Sequence, residues 1–400
     1  MADATTSLRG NSLNYSSIRK LLPYAKKAIS QGIDVIKLNI GDPDLNTPGQ
    51  FINVLHNWKL NPVRYAQPAG EPELINSLLH YYHNCSYTDL NAEDIIVTVG
   101  GSEALSMAMF SVTDPGDEIL VPEPFFANYS ILAQELGVKL VAIPTNIENG
   151  FRLPSQKAIL KLINKKTKAI LYSSPGNPTG VTYNKKEITM LLEIALQKGL
   201  YLISDEVYRE FIFTDAQHES LVPLMSEYPN NLIMLDSFSK RYNLCGARLG
   251  MLVTKSETVK DIVLRLANGR LSGGLIDQIM GSALKDVPKR HFIETTKELK
   301  KRRDVVIKEL KKIEGVRTYT PEGAFYLMVE LPVKDAEDFC RFLLEEFKVD
   351  NTTVMLAPGK GFYLSNDKGK NEVRIAYVVN SKELAKAVNI INKGLEVYLG

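Results

Sequence analysis

Leu232-Ile233-Met234-Leu235-Asp236-Ser237-Phe238-Ser239-Lys240 passes directly from an unbroken apolar run into two hydroxyls and a lysine, and Arg248 follows on the same loop. Continuous rather than alternating apolarity suits a strand covered on both faces, as in a parallel sheet flanked by helices. Six further runs share the pattern: Ile95 to Val99, Glu118 to Val121, Lys139 to Ile143, Ala169 to Tyr172, Leu200 to Ser204 and Gly250 to Thr254. Helix-compatible periodicity fills the gaps at Ser102 to Ser111, Ser130 to Leu136 and Lys186 to Lys198, with Ser102 and Asn184 placed like N-caps. The expected fold class is α/β, with a mostly parallel seven-stranded sheet flanked by helices in a large domain. After about Arg290 the pattern changes to a long charged helix, strands at Val316 to Tyr319, Phe325 to Glu330 and Val373 to Val378, and helices near Asp335 to Glu346 and from Ser381. Such segregation predicts a smaller α+β domain. The expected boundaries are 46–289 for the large domain, with 1–45 and 290–400 forming a discontinuous small one.

Composition narrows the function classes. In 400 residues, 44% of them hydrophobic, 48 Lys and Arg oppose 46 Asp and Glu, a formal net charge of +2. So even a balance provides no broad field for nucleic acid or anionic lipid. The basic stretch from Lys297 to Ile313 interleaves Leu299, Val305, Val306, Leu310 and Ile313 with charges, the pattern of an amphipathic helix with a solvated face. Cys85, Cys245 and Cys340 are few and scattered, which fits neither a disulfide framework nor a zinc site and suggests a reducing compartment. Met1 to Gly10 has no apolar h-region and no window approaches 18 uninterrupted apolar residues, so a soluble, cytoplasmic protein is expected, without a membrane partner. His80 and His83 could share a helix face, but no third ligand has matching spacing, and no metal is expected.

The chemistry concentrates at the ends of the apolar runs. A lysine at the end of a buried strand is costly to desolvate unless something consumes its charge, and condensation with an aldehyde does so. Ser237 and Arg248 add donors suited to a phosphate. A phosphorylated aldehyde, pyridoxal 5'-phosphate, meets both demands at Lys240; a plain surface loop bearing cations is the other reading of the segment alone. Gly100-Gly101-Ser102-Glu103-Ala104 follows a strand and opens a helix, so its unpaired N–H groups could hold an anion or simply cap the helix. Ser174-Pro175-Gly176-Asn177-Pro178-Thr179-Gly180 is either a turn or a rigid mount holding the Asn177 amide where open α/β sheets bind ligands. Asp205 ends a run in Asp205-Glu206-Val207-Tyr208; it could hold a protonated pyridine nitrogen, with Tyr208 reaching the ring oxygen, or lie in an acidic solvent-facing turn. Arg374 stands among apolar neighbours and calls for an anionic partner, either a substrate α-carboxylate or a structural Asp or Glu.

With Leu38-Asn39-Ile40-Gly41-Asp42-Pro43-Asp44 and Arg64-Tyr65-Ala66-Gln67-Pro68-Ala69-Gly70 added, the chain resembles, essentially end to end, the class I, fold-type I pyridoxal-phosphate aminotransferases, and within them the bacterial aspartate enzymes. The resemblance implies that Lys240 bonds the cofactor, Asp205 binds its ring nitrogen, and Asn177 and Tyr208 bind its ring oxygen. It assigns the phosphate to Gly101, Ser102, the Glu103 backbone, Ser237 and Arg248, plus Tyr65 from a neighbouring subunit, and hence implies a homodimer with shared active sites. Arg374 would grip the substrate α-carboxylate, with Asn177 and the Gly41 backbone nearby.

Two departures bear on the substrate. The ring-stacking aromatic, often Trp in aspartate enzymes, falls on Phe126, which lacks the indole N–H. Ser102 occupies the place of a lysine that some related bacterial enzymes offer to a distal carboxylate. Arg270 lies roughly where a partner-subunit arginine reads that carboxylate in the family. The expected activity is amino transfer from aspartate to 2-oxoglutarate by a ping-pong route. The alternatives are an aminotransferase for aromatic, prephenate-like or neutral donors, a lyase on the same cofactor, or a non-catalytic cofactor-binding regulator.

Overall fold

The structure is a computed structural model that describes residues 4–11, 13 and 18–400; parts of the expected 1–45 segment, residues 1–3, 12 and 14–17, lie outside the described residues. The strands in chain order are β1 (Asp34–Lys37), β2 (Ile95–Val99), β3 (Glu118–Glu123), β4 (Lys139–Pro144), β5 (Thr167–Ser173) and β6 (Tyr201–Asp205). They continue with β7 (Leu232–Ser237), β8 (Leu249–Val253), β9 (Tyr326–Glu330), β10 (Thr352–Met355), β11 (Ala357–Pro358) and β12 (Glu372–Ala376). Seven of them form one sheet in the order β2-β8-β7-β6-β5-β3-β4, parallel throughout except for β8. Each of the seven apolar runs is a strand of this sheet.

The reason for their unbroken apolarity is visible along β7. Leu232 and Met234 join the buried cluster on one face of the sheet, while Ile233 and Leu235 join the cluster on the other. Both faces are roofed by helices, so neither parity can be polar. The exception, β8, has a positional consequence. Because it runs antiparallel between β2 and β7, pairing Leu249 with Val99 and Gly250 with Ser237, its first residues arrive at the edge where its neighbours end. Arg248, immediately before β8, is thereby delivered beside Gly100 and Ser237. Gly250 allows the approach: a Cβ there would lie 2.4 Å from the carbonyl carbon of Gly100.

The remaining strands form a three-stranded antiparallel sheet, β11-β12-β9, and a parallel pair, β1-β10. Arg374 sits on β12, the central strand, opposite Met328 and Ala357. The chain after β1 is stitched to these strands by Leu38 N–H to Met355 O at 2.9 Å and Ala376 N–H to Leu38 O at 2.9 Å, which fixes the course of Asn39-Ile40-Gly41. Leu21, Ala25 and Leu38 share one apolar core with the helices and strands after Leu299.

Some local expectations need correction. The helix after β2 runs Gly100–Val112, so Ser102 lies inside its first turn instead of capping it; the Glu103 carboxylate accepts the Val99 N–H at 2.7 Å. Val316 to Tyr319 forms no strand of its own and makes a single bridge, Arg317 to Glu330. Asn184 does cap its helix, Lys185–Lys198, in a reciprocal box with Glu187. The charged helix extends over Arg290–Leu310 and buries Leu299, Val306 and Leu310, with Val305 half-buried. Among the described residues no helix is long and apolar enough to cross a membrane.

Candidate active site

A cavity of about 510 Å³ opens at the edge where β5, β6 and β7 end, and a chamber of about 400 Å³ adjoins it; both are lined by Gly41, Asn177, Tyr208 and Lys240. One end of the larger cavity is built for an anion. Gly101 and Ser102 present the first turn of the Gly100–Val112 helix, Ser237 and Ser239 bring hydroxyls, and Arg248 closes over Gly100, where a Cβ would meet its Nη2 at 2.5 Å. Arg248 donates Nη1 to Cys245 O at 2.9 Å and has no carboxylate within ion-pair distance among the described residues. Helix N–H groups and a guanidinium with no ion pair, Asp277 being its more distant acidic neighbour, together attract a phosphate.

Lys240 stands on the one-turn helix Phe238–Arg241, directly after β7. Its Nζ donates to Gly41 O at 2.8 Å and lies 3.8 Å from Cys245 Sγ, with no acidic partner among the described residues. Across the cavity, Asp205 ends β6. Burial pushes its carboxyl up to about 6, opposed by the Tyr129 hydroxyl, which donates to Oδ2 at 2.5 Å, and by the Val207 N–H. No Arg, Lys or His among the described residues pairs with it. Asp205 lines the cavity rather than a solvent-facing turn.

Arg374 is 1% exposed and closes the floor of the chamber. Its Nη1 donates to Asn177 Oδ1 at 2.9 Å, its Nη2 donates to the Asn39 carbonyl, and its guanidinium carbon lies 4.5 Å from the Tyr326 ring centroid. Burial lowers its pKa, and no Asp or Glu among the described residues comes within ion-pair distance. Of the two sequence readings, the structural ion pair is absent among those residues. Tyr208 is buried, its hydroxyl donating to that of Tyr326 at 3.0 Å, and desolvation raises its pKa well above the ordinary value. The same Tyr326 hydroxyl presses on Gly41, where a Cβ would lie 1.6 Å away.

Phe126 lines both spaces. Tyr65, Glu103 and Arg270 do not. Tyr65 is 83% exposed. The Glu103 carboxylate pairs with Arg270 Nε at 3.0 Å, and Arg270 Nη2 donates to Val97 O at 2.7 Å. Sequence reasoning missed Tyr129, Tyr326 and Arg19, all of which line the site. For Tyr129 a faint signal existed: it lies one helical turn beyond Phe126, on the Asn128–Leu136 helix.

Fold and site together define a class. Residues 33–391 match the family model described as aminotransferase class I and II, and the chain belongs to that family. It is an aminotransferase, and membership implies the use of pyridoxal 5'-phosphate with amino acid and keto acid substrates. Among curated proteins it is 34% identical over 390 residues to an aspartate aminotransferase of Pyrococcus horikoshii, covering 95% of each chain. Among solved structures it superposes on the aspartate aminotransferase of Thermotoga maritima with a TM-score of 0.88 at 30% identity, covering 98% of this chain and 100% of that one. An alanine aminotransferase from Pyrococcus furiosus gives the same score, identity and coverage.

Proposed function

We propose that this aminotransferase carries the amino group of aspartate to 2-oxoglutarate, in alternating half-reactions, on pyridoxal phosphate bonded to Lys240. The observation that carries the reading is Arg374: a fully buried guanidinium with only neutral partners, one chamber away from a lysine. An uncompensated buried charge is expensive, and a substrate α-carboxylate is the anion that would complete it. The cofactor fits on the same ground. Lys240, Arg248 and Asp205 face one cavity and make no ion pair among the described residues, and an aldehyde, a phosphate and a protonated ring nitrogen would supply the three complements.

When bound, pyridoxal phosphate offers an electron sink for charge developing at the substrate Cα. The Lys240 amine would hold the aldehyde and, when free, would take the proton from the substrate Cα and return it. Asp205, steadied by Tyr129, would keep the ring nitrogen protonated. Asn177 and Tyr208 would hold the ring oxygen, and Phe126 would lie against the ring. Gly101, Ser102 and Glu103 would contribute backbone donors to the phosphate, with Ser237 and Arg248. Arg374, Asn177 and the Gly41 backbone orient the carboxylate, which turns the Cα–H bond toward Lys240.

Tyr65, being exposed, suits a site completed by a second copy, so a cytoplasmic homodimer is part of the proposal, as is a division at 46 and 289 between a cofactor-binding lobe and a small lobe. The similarity to an alanine aminotransferase supports a second reading, a neutral donor. Borohydride reduction of the loaded protein followed by peptide mapping should place a pyridoxyl adduct on Lys240, and the visible absorbance should bleach on adding aspartate. An adduct elsewhere overturns the assignment of Lys240. Bleaching by alanine but not aspartate favours the neutral donor, and colour that persists with every amino donor favours a regulator.

A further inference from the structure

Lys20 and Arg19 are adjacent on the turn preceding the Leu22–Ser30 helix, and the structure treats them differently. Lys20 forms an ion pair with Glu337. The Arg19 side chain has no ion pair and no hydrogen bond among the described residues, and it lines both the cavity and the adjoining chamber. The chamber's charged lining among those residues is Arg19, Arg374 and Lys240, with no Asp or Glu.

We infer that Arg19 is the residue that reads the second carboxylate of a dicarboxylic substrate; this rests on the transfer reaction proposed above and names the side chain that gives it acidic specificity. Once Lys240 is engaged with the amino group's chemistry, two guanidiniums remain in one small chamber, and neither makes an ion pair among the described residues, Asp42 of the larger cavity included. A substrate with a carboxylate at each end satisfies both. Asn39 connects the two positions: its carbonyl accepts from Arg374 Nη2, while its side-chain Nδ2 donates to Ile18 O at 2.9 Å, the residue just before Arg19. The two cations are therefore spaced by a common residue and do not float independently. Ile18, Ile40, Phe126 and Ile131 supply apolar walls of the chamber, against which a short methylene spacer packs, with Arg374 buried at one side and Arg19 exposed at the other. The rival, Arg270, is already committed to Glu103 and the Val97 carbonyl and lines neither space of its own chain.

The test uses the loaded enzyme and the variants Arg19→Met, Arg19→Lys and Arg270→Ala. It measures kcat/KM for aspartate, glutamate and alanine, together with spectroscopic binding of succinate and of propionate, which lack an amino group. Arg19→Met should lower the ratio of aspartate to alanine kcat/KM by about 10- to 100-fold, the range of a hydrogen bond to a charged group, and weaken succinate relative to propionate by a similar factor. Arg19→Lys should restore part of both. Unchanged ratios in Arg19→Met, in an enzyme whose wild type prefers aspartate, overturn the inference and leave the proposed reaction standing; a loss confined to Arg270→Ala moves the role to Arg270. A wild type with no preference for aspartate over alanine, binding succinate no better than propionate, overturns the aspartate reading itself and Arg19's role with it.

Discussion

Lys240 and Arg241 are neighbours on one turn of helix, yet they belong to two regions with opposite electrostatic character. Behind the sheet edge, Arg241 is fully buried with Asp236 Oδ2 at 2.7 Å, and the Tyr82 hydroxyl donates to the same carboxylate at 2.7 Å. Next to it, Glu206 accepts from His218 at 2.7 Å and lies 3.5 Å from Arg209; although burial opposes its charge, His218 and Arg209 hold its carboxyl down at about 2. In the cavity in front, Lys240, Arg248, Arg374 and Asp205 have only neutral partners among the described residues. Closed pairs serve the fold, because desolvated charges persist only when matched. Open ones mark where something from outside must complete the match.

The sharpest way to break that comparison is to change the adjacent cations one at a time. Lys240→Ala should lower turnover by about 10²- to 10⁴-fold, the scale of general acid–base catalysis, in a steady-state amino-transfer assay, with the urea midpoint of the cofactor-free protein little changed. Arg241→Met should do the reverse to stability: it takes away the guanidinium at 2.7 Å and leaves buried Asp236 only the more distant Arg209 at 3.9 Å, and a denaturant titration should register a loss of about 3 kcal/mol. If Arg241→Met left stability intact, the closed network would not be holding the fold.

A second pair separates the buried arginines. Arg374→Met should reduce kcat/KM for amino acids by about 10²- to 10³-fold through weaker carboxylate binding, the scale of a desolvated charge pair. Because Arg374 has no acidic partner to orphan, the unfolding free energy without cofactor should stay within about 1 kcal/mol of wild type. A stability loss matching that of Arg241→Met would place Arg374 in the closed class.

The division between closed and open charges also marks how far the sequence could be read. Strands covered on both faces are legible because burial on each parity leaves only apolar residues, as in β7. The short β1, β10 and β11 are not: four residues or fewer carry no periodicity, and their pairing depends on partners far along the chain. Val316 to Tyr319 has strand-like residues but finds only one bridge, an instance of tertiary context overriding propensity. Residues that line the cavity were legible where a functional group interrupts an apolar run or sits in a dense turn, as with Lys240, Asp205 and Asn177. Tyr129 meets Asp205 across 76 positions and Arg19 stands in an unremarkable Ser-Ser-Ile-Arg-Lys stretch, so nothing local announces either.

pH offers a subtler probe of the open region. Burial raises Asp205 from 3.8 to about 6, so between those values the folded, cofactor-free protein holds a proton that the unfolded chain has released. Its contribution to stability is then fully present below 3.8 and is lost as pH rises through about 6. The difference in unfolding free energy between wild type and Asp205→Asn should decline across that window and flatten above it. A difference that rises with pH would mean that a cation within the protein already compensates Asp205, which would move it to the closed set.

The smallest expected effect lies outside both regions and calibrates them. Asn184 accepts the Glu187 N–H and Glu187 accepts the Asn184 N–H, a box that satisfies two backbone donors at the start of the Lys185–Lys198 helix. Asn184→Ala removes one of those bonds at an exposed position, where water replaces it in part, so denaturant unfolding should show a loss of about 1 kcal/mol with kcat/KM unchanged. That loss sets what an ordinary local contact is worth in this chain. Arg241→Met must exceed it several-fold and Arg374→Met must not, since an exposed cap pays only for its own hydrogen bond whereas a closed buried pair leaves its surviving partner stranded in low dielectric. Should the three substitutions cost the same, burial and pairing would not distinguish the charges that hold this fold from those that await a substrate.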